Sequence, residues 1–597
     1  MKLCRPYLEL LLRVPGDRRR VAILVALMTI GASMEALGVG LIMPFIALLQ
    51  RPALVHESRP LAALMRLTGV QTATGATMLL AALLLVVFVV KNVYLAITTW
   101  LQLRFLGNRM TYCARDLLAG YLGRRYTFFL GRNSGELVKN CVTDTAAVFY
   151  AAMPAAFLFA IEGLTCVVLG ILLVALEPIA VPVVALVIGG GGYLFQRYSR
   201  RRSLALGKGV REKKADLVQL DGQAFGGIKE VRIRGCEDVI VSSFVATSRE
   251  HAAASRVARF LGTAPRFAFE TLAVSGMLLV SFIVLLRGGG TEGLVPLLGV
   301  MALAVVRLMP SAVRMLGALN EMRYFSPFVD ALQKDLAERE VQLESTSPLE
   351  FKRELRIANV SYTYPGASKP SLEKVSLTIR KGEAIALVGS SGAGKTTLAD
   401  VVIGLLAPTS GELLVDGVRV EPSTVRAWQD LIGYVPQQVY LGDDTLLRNV
   451  AFGEPDEKID LERVNRALAA ARLTELVASL PDGLATEVGE RGVRLSGGQR
   501  QRIGIARALY FDPKVLILDE ATSALDGLTE AEVVEAIEIA RADRTTIVIA
   551  HRLSTVRTCD RLVYMSEGKI TNVGTWDALL ASNTEFKRLV QLGAPPS

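Results

Sequence analysis

Histidine is nearly absent from this 597-residue sequence. Its three copies, at positions 56, 251 and 551, are too few and too scattered for a histidine-based metal centre. Cysteine is sparse as well. The six copies (4, 113, 141, 166, 236 and 559) form no Cys-x-x-Cys pair, which argues against a zinc site and against a disulfide framework. Charged residues, at 21%, are too many for a purely membranous chain, and apolar residues, at 51%, too many for a disordered one. A chain of this length and mixture joins a membrane part to a water-soluble part.

Apolar runs of about 20 residues span a bilayer. Six precede residue 310: 21–49, 76–100, 154–176, 179–196, 267–286 and 293–309. The third and fourth are separated by the turn Glu177-Pro178. The first run is long enough to tilt or to project beyond the lipid. Arg18, Arg19 and Arg20 precede it and no small-residue cleavage pattern follows, so it reads as a span and not as a removable signal. Residues 2–13 are expected to form a short interfacial helix.

Lysine and arginine divide unevenly between the two sets of loops. The segments 1–20, 101–145 and 197–266 hold 28, against 4 in 50–75, 177–178 and 287–292. This places both termini and the long loops on the cytoplasmic side. It also accounts for the net charge of +10 as loops beside anionic lipid, not as a nucleic-acid surface. The loops after the second and fourth spans are too long for simple connections and are expected to continue the membrane helices into the cytoplasm. The expected organisation is a six-span helical transmembrane domain at 1–330, a charged linker at 331–354 and an α/β domain at 355–597.

The α/β half carries Gly389-Ser390-Ser391-Gly392-Ala393-Gly394-Lys395-Thr396-Thr397 after the apolar strand Ala384–Val388 and before a helix-like segment. This is a P-loop in its strand–loop–helix context. Its glycines let backbone N–H groups wrap phosphates, Lys395 reaches the β- and γ-phosphates, and the Thr396 hydroxyl suits Mg²⁺. A second apolar strand, Val515–Leu518, ends in Asp519 and Glu520. Asp519 suits the Mg²⁺ shell and Glu520 the polarisation of an attacking water.

A third element, Leu495-Ser496-Gly497-Gly498-Gln499, resembles the signature motif of the ABC ATPase family. The family's other elements follow the same order. The resemblance implies that Tyr364 stacks on adenine. It implies that Gln437, in Tyr434-Val435-Pro436-Gln437, senses Mg²⁺ and contacts the membrane domain. Ser523-Ala524-Leu525-Asp526 matches the loop that crosses the dimer interface, and His551 matches the histidine that contacts the γ-phosphate. The match covers about 355–590 without departure at a catalytic position. It implies ATP and Mg²⁺ as ligands and a dimer in which the P-loop of one copy and the signature of the other enclose each nucleotide. One nucleotide domain and one membrane domain make this chain similar to the ABC exporter half-transporters, and a homodimer is expected. Segments near Thr127–Gly131 and Asp221–Gly227 fall where that family places its coupling helices; otherwise they are ordinary loop helices.

Charges inside spans are costly and usually functional. They include Glu35, Lys91, Glu162, Glu270, Arg307 and Arg314, with Arg266 at an edge. The cations either line a cavity for a phosphate or pyrophosphate, or pair with the three glutamates or snorkel. Met34–Pro44, Ala264–Arg266 and Arg307–Arg314 resemble the bacterial lipid-linked oligosaccharide flippases of protein glycosylation. In that family basic residues at the positions of Lys91 (there arginine), Arg266, Arg307 and Arg314 line the translocation cavity. Residues 51–70 fall where it has a short external helix that engages the polyprenyl tail; a plain surface loop is the alternative. The resemblance implies an ATP-driven flippase that moves a polyprenyl-pyrophosphate oligosaccharide from the inner to the outer leaflet of the bacterial cytoplasmic membrane. The alternatives are an exporter of another amphipathic cargo, such as a lipid A-like glycolipid or a drug, and an ATP-gated channel or sensor.

Overall fold

The structure, a computed structural model, describes residues 4–13, 16–50, 72–176, 180–286, 291–338, 348–519, 527–541, 544–549 and 556–593, with some side chains inside the helices excepted, Glu35 and Arg307 among them. The chain divides into two compact units. One comprises Met1–Arg124 and Arg132–Val341, the other Arg125–Gly131 and Gln342–Ser597.

The described part of the first unit is helical. Asp17–Gln50, Ala73–Leu122, Met153–Leu176, Ala180–Gly226, Glu237–Leu286 and Thr291–Ala337 are long helices. The 50 residues of Ala73–Leu122 measure about 75 Å at 1.5 Å per residue, more than twice a hydrocarbon core of about 30 Å. The apolar segments therefore run on as unbroken helix into the charged sequence that follows, as the loop lengths imply. Among the described residues, Thr74–Leu122 and Ser134–Val168 are long and apolar enough to cross a membrane. The other expected spans lie on helices whose side chains are described only in part.

The helix that leads into Met153–Leu176 is irregular. It contains two π-helical turns, Asn140–Asp144 and Val148–Ala152. Each widened turn rotates the side chains that follow it. Lys139, Asn140 and Asp144 are all buried there; Lys139 donates to Asp144 at 3.1 Å, and Asn140 accepts from Arg211 of the helix Ala180–Gly226.

The N-terminal helix Cys4–Leu11 departs from expectation. It does not keep its apolar face for lipid. Tyr7, Leu10 and Leu11 are buried, and the Tyr7 hydroxyl donates to the Met322 carbonyl. Gln333 donates to the Pro6 carbonyl at 3.0 Å, so the helix is fastened to Thr291–Ala337 by polar as well as apolar contacts.

Among the described residues, the second unit holds two sheets. Four strands, β1 (Glu354–Tyr362), β2 (Leu372–Arg380), β4 (Ser410–Val415) and β5 (Val418–Arg419), form an antiparallel sheet in the order β2-β1-β4-β5. The other sheet has six strands, β3 (Ala384–Val388), β6 (Ile432–Val435), β7 (Val515–Asp519), β8 (Thr545–Ile549), β9 (Arg561–Ser566) and β10 (Lys569–Gly574), ordered β10-β9-β3-β8-β7-β6. The strands β9, β3, β8, β7 and β6 are parallel, and β10 is antiparallel at the edge. Every residue of β3, β7 and β8 is buried. That matches their nearly continuous apolar runs, which suit strands covered on both faces.

Candidate nucleotide site and membrane charges

Strand register gathers the motifs at one edge. Leu387 of β3 is level with Ile549 of β8, and Ile549 with Asp519 of β7; Leu518 in turn is level with Val435 of β6. The P-loop after Val388, the acid Asp519 and the turn carrying Gln437 thus all leave the sheet at its carboxyl edge, where open α/β sheets bind ligands.

The P-loop backbone is shaped for close approach. Gly389 has φ +153° and Gly394 φ +98°. A Cβ on Gly389 would lie 2.1 Å from the Met565 carbonyl oxygen, and one on Gly394 would lie 2.7 Å from that of Ser371. Gly394 caps the helix Lys395–Ile403, so its first N–H groups and positive dipole end point into the loop. Lys395 is buried, and its ammonium donates to the carbonyls of Gly389 and Ser390 at 2.9 Å each. Ser390, Ser391, Gly392 and Thr396 stand exposed around it, while Ala393 and Thr397 are packed inward. The Tyr364 hydroxyl lies 3.2 Å from that of Thr397, and its ring packs edge-on against Tyr362.

Asp519 is buried at the end of β7 and accepts from the Tyr434 hydroxyl at 3.4 Å. Asp400, on the P-loop helix, has its carboxyl pKa pushed up to about 6 by burial and then by the negative charge of Asp519. Burial, followed by Asp519, likewise raises Tyr434. Asp400 and Asp519 thus bring two carboxyl groups near one another beside the phosphate loop. Such a donor set fits a hard divalent cation, and Mg²⁺ bound there would supply charge neutralisation for the phosphates. The motifs assign no role to Asp400 or to Tyr434; their signal in the sequence is their place, one turn past the P-loop and three residues ahead of Gln437.

The signature segment is a helix start. Ser496 caps Gly497–Tyr510, its hydroxyl accepting from the Gln499 N–H at 3.2 Å, and Gln499 Oε1 accepts from the Ser496 N–H at 2.8 Å. This reciprocal box leaves the amides of Gly497 and Gly498 at the positive end of the helix. Gln437 is exposed on the turn after β6. Glu520, Asp526 and His551 lie outside the described residues.

The predicted membrane cations keep different company. Arg314 is paired: its Nε donates to Glu162, and its second terminal nitrogen donates to Glu162 Oε2 at 3.1 Å. Pairing with one of the three membrane glutamates is among the dispositions the sequence leaves open to it. Lys91 lies over the Phe88 ring, 4.6 Å from its centre. Arg266 is exposed one residue after Pro265. These three stand on three different helices. The Arg307 side chain and residues 51–70 lie outside the described residues.

A family model described as ABC transporter matches residues 372–523. The ATP-dependent lipid A-core flippase of Cupriavidus pinatubonensis is 47% identical over 233 residues, 39% of this chain and 40% of that protein. The flippase of the same name from Cupriavidus metallidurans is 37% identical over 67% of this chain and 68% of its own length. That from Pseudomonas aeruginosa is 33% identical over 78% and 77%. This chain thus spans less than half of the first relative and more than two thirds of the others. A solved structure described as a bacterial Atm1-family ABC exporter with ATP bound aligns with a TM-score of 0.80 at 23% identity, covering 98% of this chain and 99% of that one. At that identity the likeness speaks for the fold, a helical membrane domain followed by an α/β ATPase domain. With relatives above 30% identical over more than two thirds of both chains, and with the P-loop, Asp519 and signature elements in place, the chain belongs to the ABC transporter family, as an ATPase-coupled exporter half-transporter.

Proposed function

We propose that this protein is an ATP-driven flippase for a phosphorylated, lipid-anchored glycan of the lipid A kind, working as a homodimer in the bacterial cytoplasmic membrane. The observation that carries the cargo class is Arg314, a guanidinium exposed on the wall of the helical unit and backed there by the buried carboxylate of Glu162. A cation in such a place suits an anionic headgroup. The names of the relatives favour a lipid A-like glycolipid over the polyprenyl-pyrophosphate oligosaccharide expected from the membrane motifs. The oligosaccharide stands as the second reading, supported by the basic residues at 91, 266, 307 and 314. Both cargoes present phosphate on a lipid.

In this reading the amides of Gly389–Thr397 and Lys395 hold the nucleotide phosphates, and Tyr364 stacks on adenine. Thr396, Gln437 and Asp519 hold Mg²⁺. Ser496, Gly497, Gly498, Gln499 and Asp526 of the second copy complete the site. Glu520 polarises the attacking water and His551 contacts the γ-phosphate. Binding closes the two nucleotide domains, and Tyr126–Leu130 (within the compact nucleotide unit) together with the turn at Gly227 transmits closure to the helices.

The test is ATPase activity of the purified protein in vesicles, with and without lipid A or a polyprenyl-pyrophosphate oligosaccharide, alongside the double variant Arg307→Ala/Arg314→Ala. Stimulation that the double variant abolishes supports the reading, and the more potent lipid decides between the cargoes. Equal response to neutral and phosphorylated lipids overturns it.

A further inference from the structure

The Arg314–Glu162 pair is lopsided. The Glu162 side chain is 8% exposed and that of Arg314 45%. The carboxylate is therefore sunk into the wall of the bundle, on the helix Met153–Leu176, while the guanidinium stands at the surface of that wall. Glu162 engages one edge of the guanidinium, through Nε and one terminal nitrogen, in the fork geometry that a phosphate group also fits. Ser311 Oγ lies 3.4 Å from the same terminal nitrogen, so a hydroxyl borders the pair. One turn beyond Glu162 is Thr165. Its hydroxyl is 1% exposed as a residue and has no hydrogen-bond partner among the described residues. A buried hydroxyl left unsatisfied is costly, and residues three apart on a helix are neighbours.

We propose that Glu162 is a built-in counter-anion for Arg314, which holds the guanidinium while no cargo is present and yields it to the phosphate of an anionic lipid headgroup. This rests on the phosphorylated-lipid reading of the preceding subsection and adds the residue that sets the threshold. A neutral amphiphile offers nothing in place of the carboxylate, so displacing it strands two opposite charges, one of them the buried Glu162. A phosphate satisfies Arg314 directly and leaves only Glu162 to be accommodated. Thr165 is placed to donate to the released carboxylate, and the orphaned hydroxyl is thereby satisfied in the loaded state. Glu162 thus acts as a specificity device, by making uncharged cargo unable to compete.

The full-length protein in phosphatidylcholine vesicles, titrated with lipid A and with its dephosphorylated form while ATP hydrolysis is followed, tests this. Glu162→Gln keeps the shape and removes the competing charge. It is expected to lower the lipid A concentration that gives half-maximal stimulation by about five-fold, the equivalent of a weak ion pair, and to narrow the preference over the dephosphorylated lipid. Thr165→Val is expected to raise that concentration. A wild type that prefers lipid A while Glu162→Gln leaves the half-maximal concentration unchanged overturns the inference and spares the cargo reading. A wild type without phosphate preference overturns both. Should Glu162→Gln fail to fold, judged by loss of MgATP-induced thermal stabilisation, the exchange Glu162→Arg/Arg314→Glu restores an ion pair and decides the matter. Loss of the lipid A response in that variant supports the inference; a response like that of the wild type refutes it.

Discussion

Asn140 donates its side-chain amide to Asp335 Oδ2 at 3.0 Å, joining a π-helical turn to the end of a helix 195 residues later in the chain. The same amide donates to the Tyr121 hydroxyl at 3.2 Å, and Asn140 Oδ1 accepts from Arg211 at 3.1 Å. Arg211 and Lys139 both bond Asp144. One asparagine, 1% exposed, therefore ties together segments from four parts of the helical unit. Replacing Asn140 with Leu strips partners from buried groups, which costs about 2–4 kcal/mol. The expected result is a clearly lower melting midpoint of the purified protein in detergent. An unchanged midpoint would show that the network is compensated from elsewhere.

Lys395 holds the carbonyls of Gly389 and Ser390 in the phosphate loop. Lys395→Ala removes a charge-assisted contact of about 1.5–3 kcal/mol, so affinity for a fluorescent ATP analogue should fall by about 10- to 100-fold. Glu520→Gln is expected to separate the two functions, with analogue binding retained and phosphate release abolished. Undiminished hydrolysis by that variant would remove Glu520 from the chemistry.

How much of this was legible in the sequence depends on the range of the interaction. The P-loop, the capping box of Ser496 and Gln499, and the buried strands β3, β7 and β8 are local: backbone geometry and apolar runs determine them within about ten residues. The meeting of Asp400 with Asp519 needs the sheet order, and the pairing of Arg314 with Glu162 needs the packing of two helices whose sequences lie 152 residues apart. Spacing located the charges without telling which would neutralise which. The N-terminal helix misled for a related reason. An amphipathic stripe such as Tyr7, Leu10 and Leu11 states that a face is to be covered, and lipid or the helix carrying Met322 satisfies it equally.

Asp400 gives a pH dependence of defined sign. Its folded pKa, about 6, is raised above the ordinary aspartate value by burial and by Asp519. The folded state therefore holds the Asp400 proton more tightly than the unfolded chain does. Its contribution to stability is fully present below the unfolded pKa and is lost as pH rises through about 6. Without nucleotide or Mg²⁺, the wild-type melting midpoint should carry a component that declines between about pH 4 and 6 and then levels off. Asp400→Asn should remove that component. A variant whose pH profile parallels the wild type would assign the dependence to other groups.

Among the described glycines of the helical unit, Gly207 meets its neighbour most closely. Gly207, within Ala180–Gly226, faces the backbone of Thr291–Ala337, and a Cβ there would lie 1.9 Å from the Tyr324 carbonyl oxygen. No rotamer relieves that contact, because both atoms are fixed by backbone. Gly207→Ala must push the two helices apart, and the gap would spread to the contacts that flank it, such as the 2.9 Å bond from Ser199 to Asn320. Overpacking of this kind costs about 1–3 kcal/mol. Gly209 is the control. It lies two residues away in the same helix, yet a Cβ there meets nothing within 4 Å. Gly209→Ala removes backbone freedom from the unfolded chain at no steric cost, and so should stabilise by about 0.5–1 kcal/mol. Melting midpoints that move in opposite directions for these two substitutions would establish that the helices touch backbone to backbone at Gly207. Equal shifts would place that crossing elsewhere.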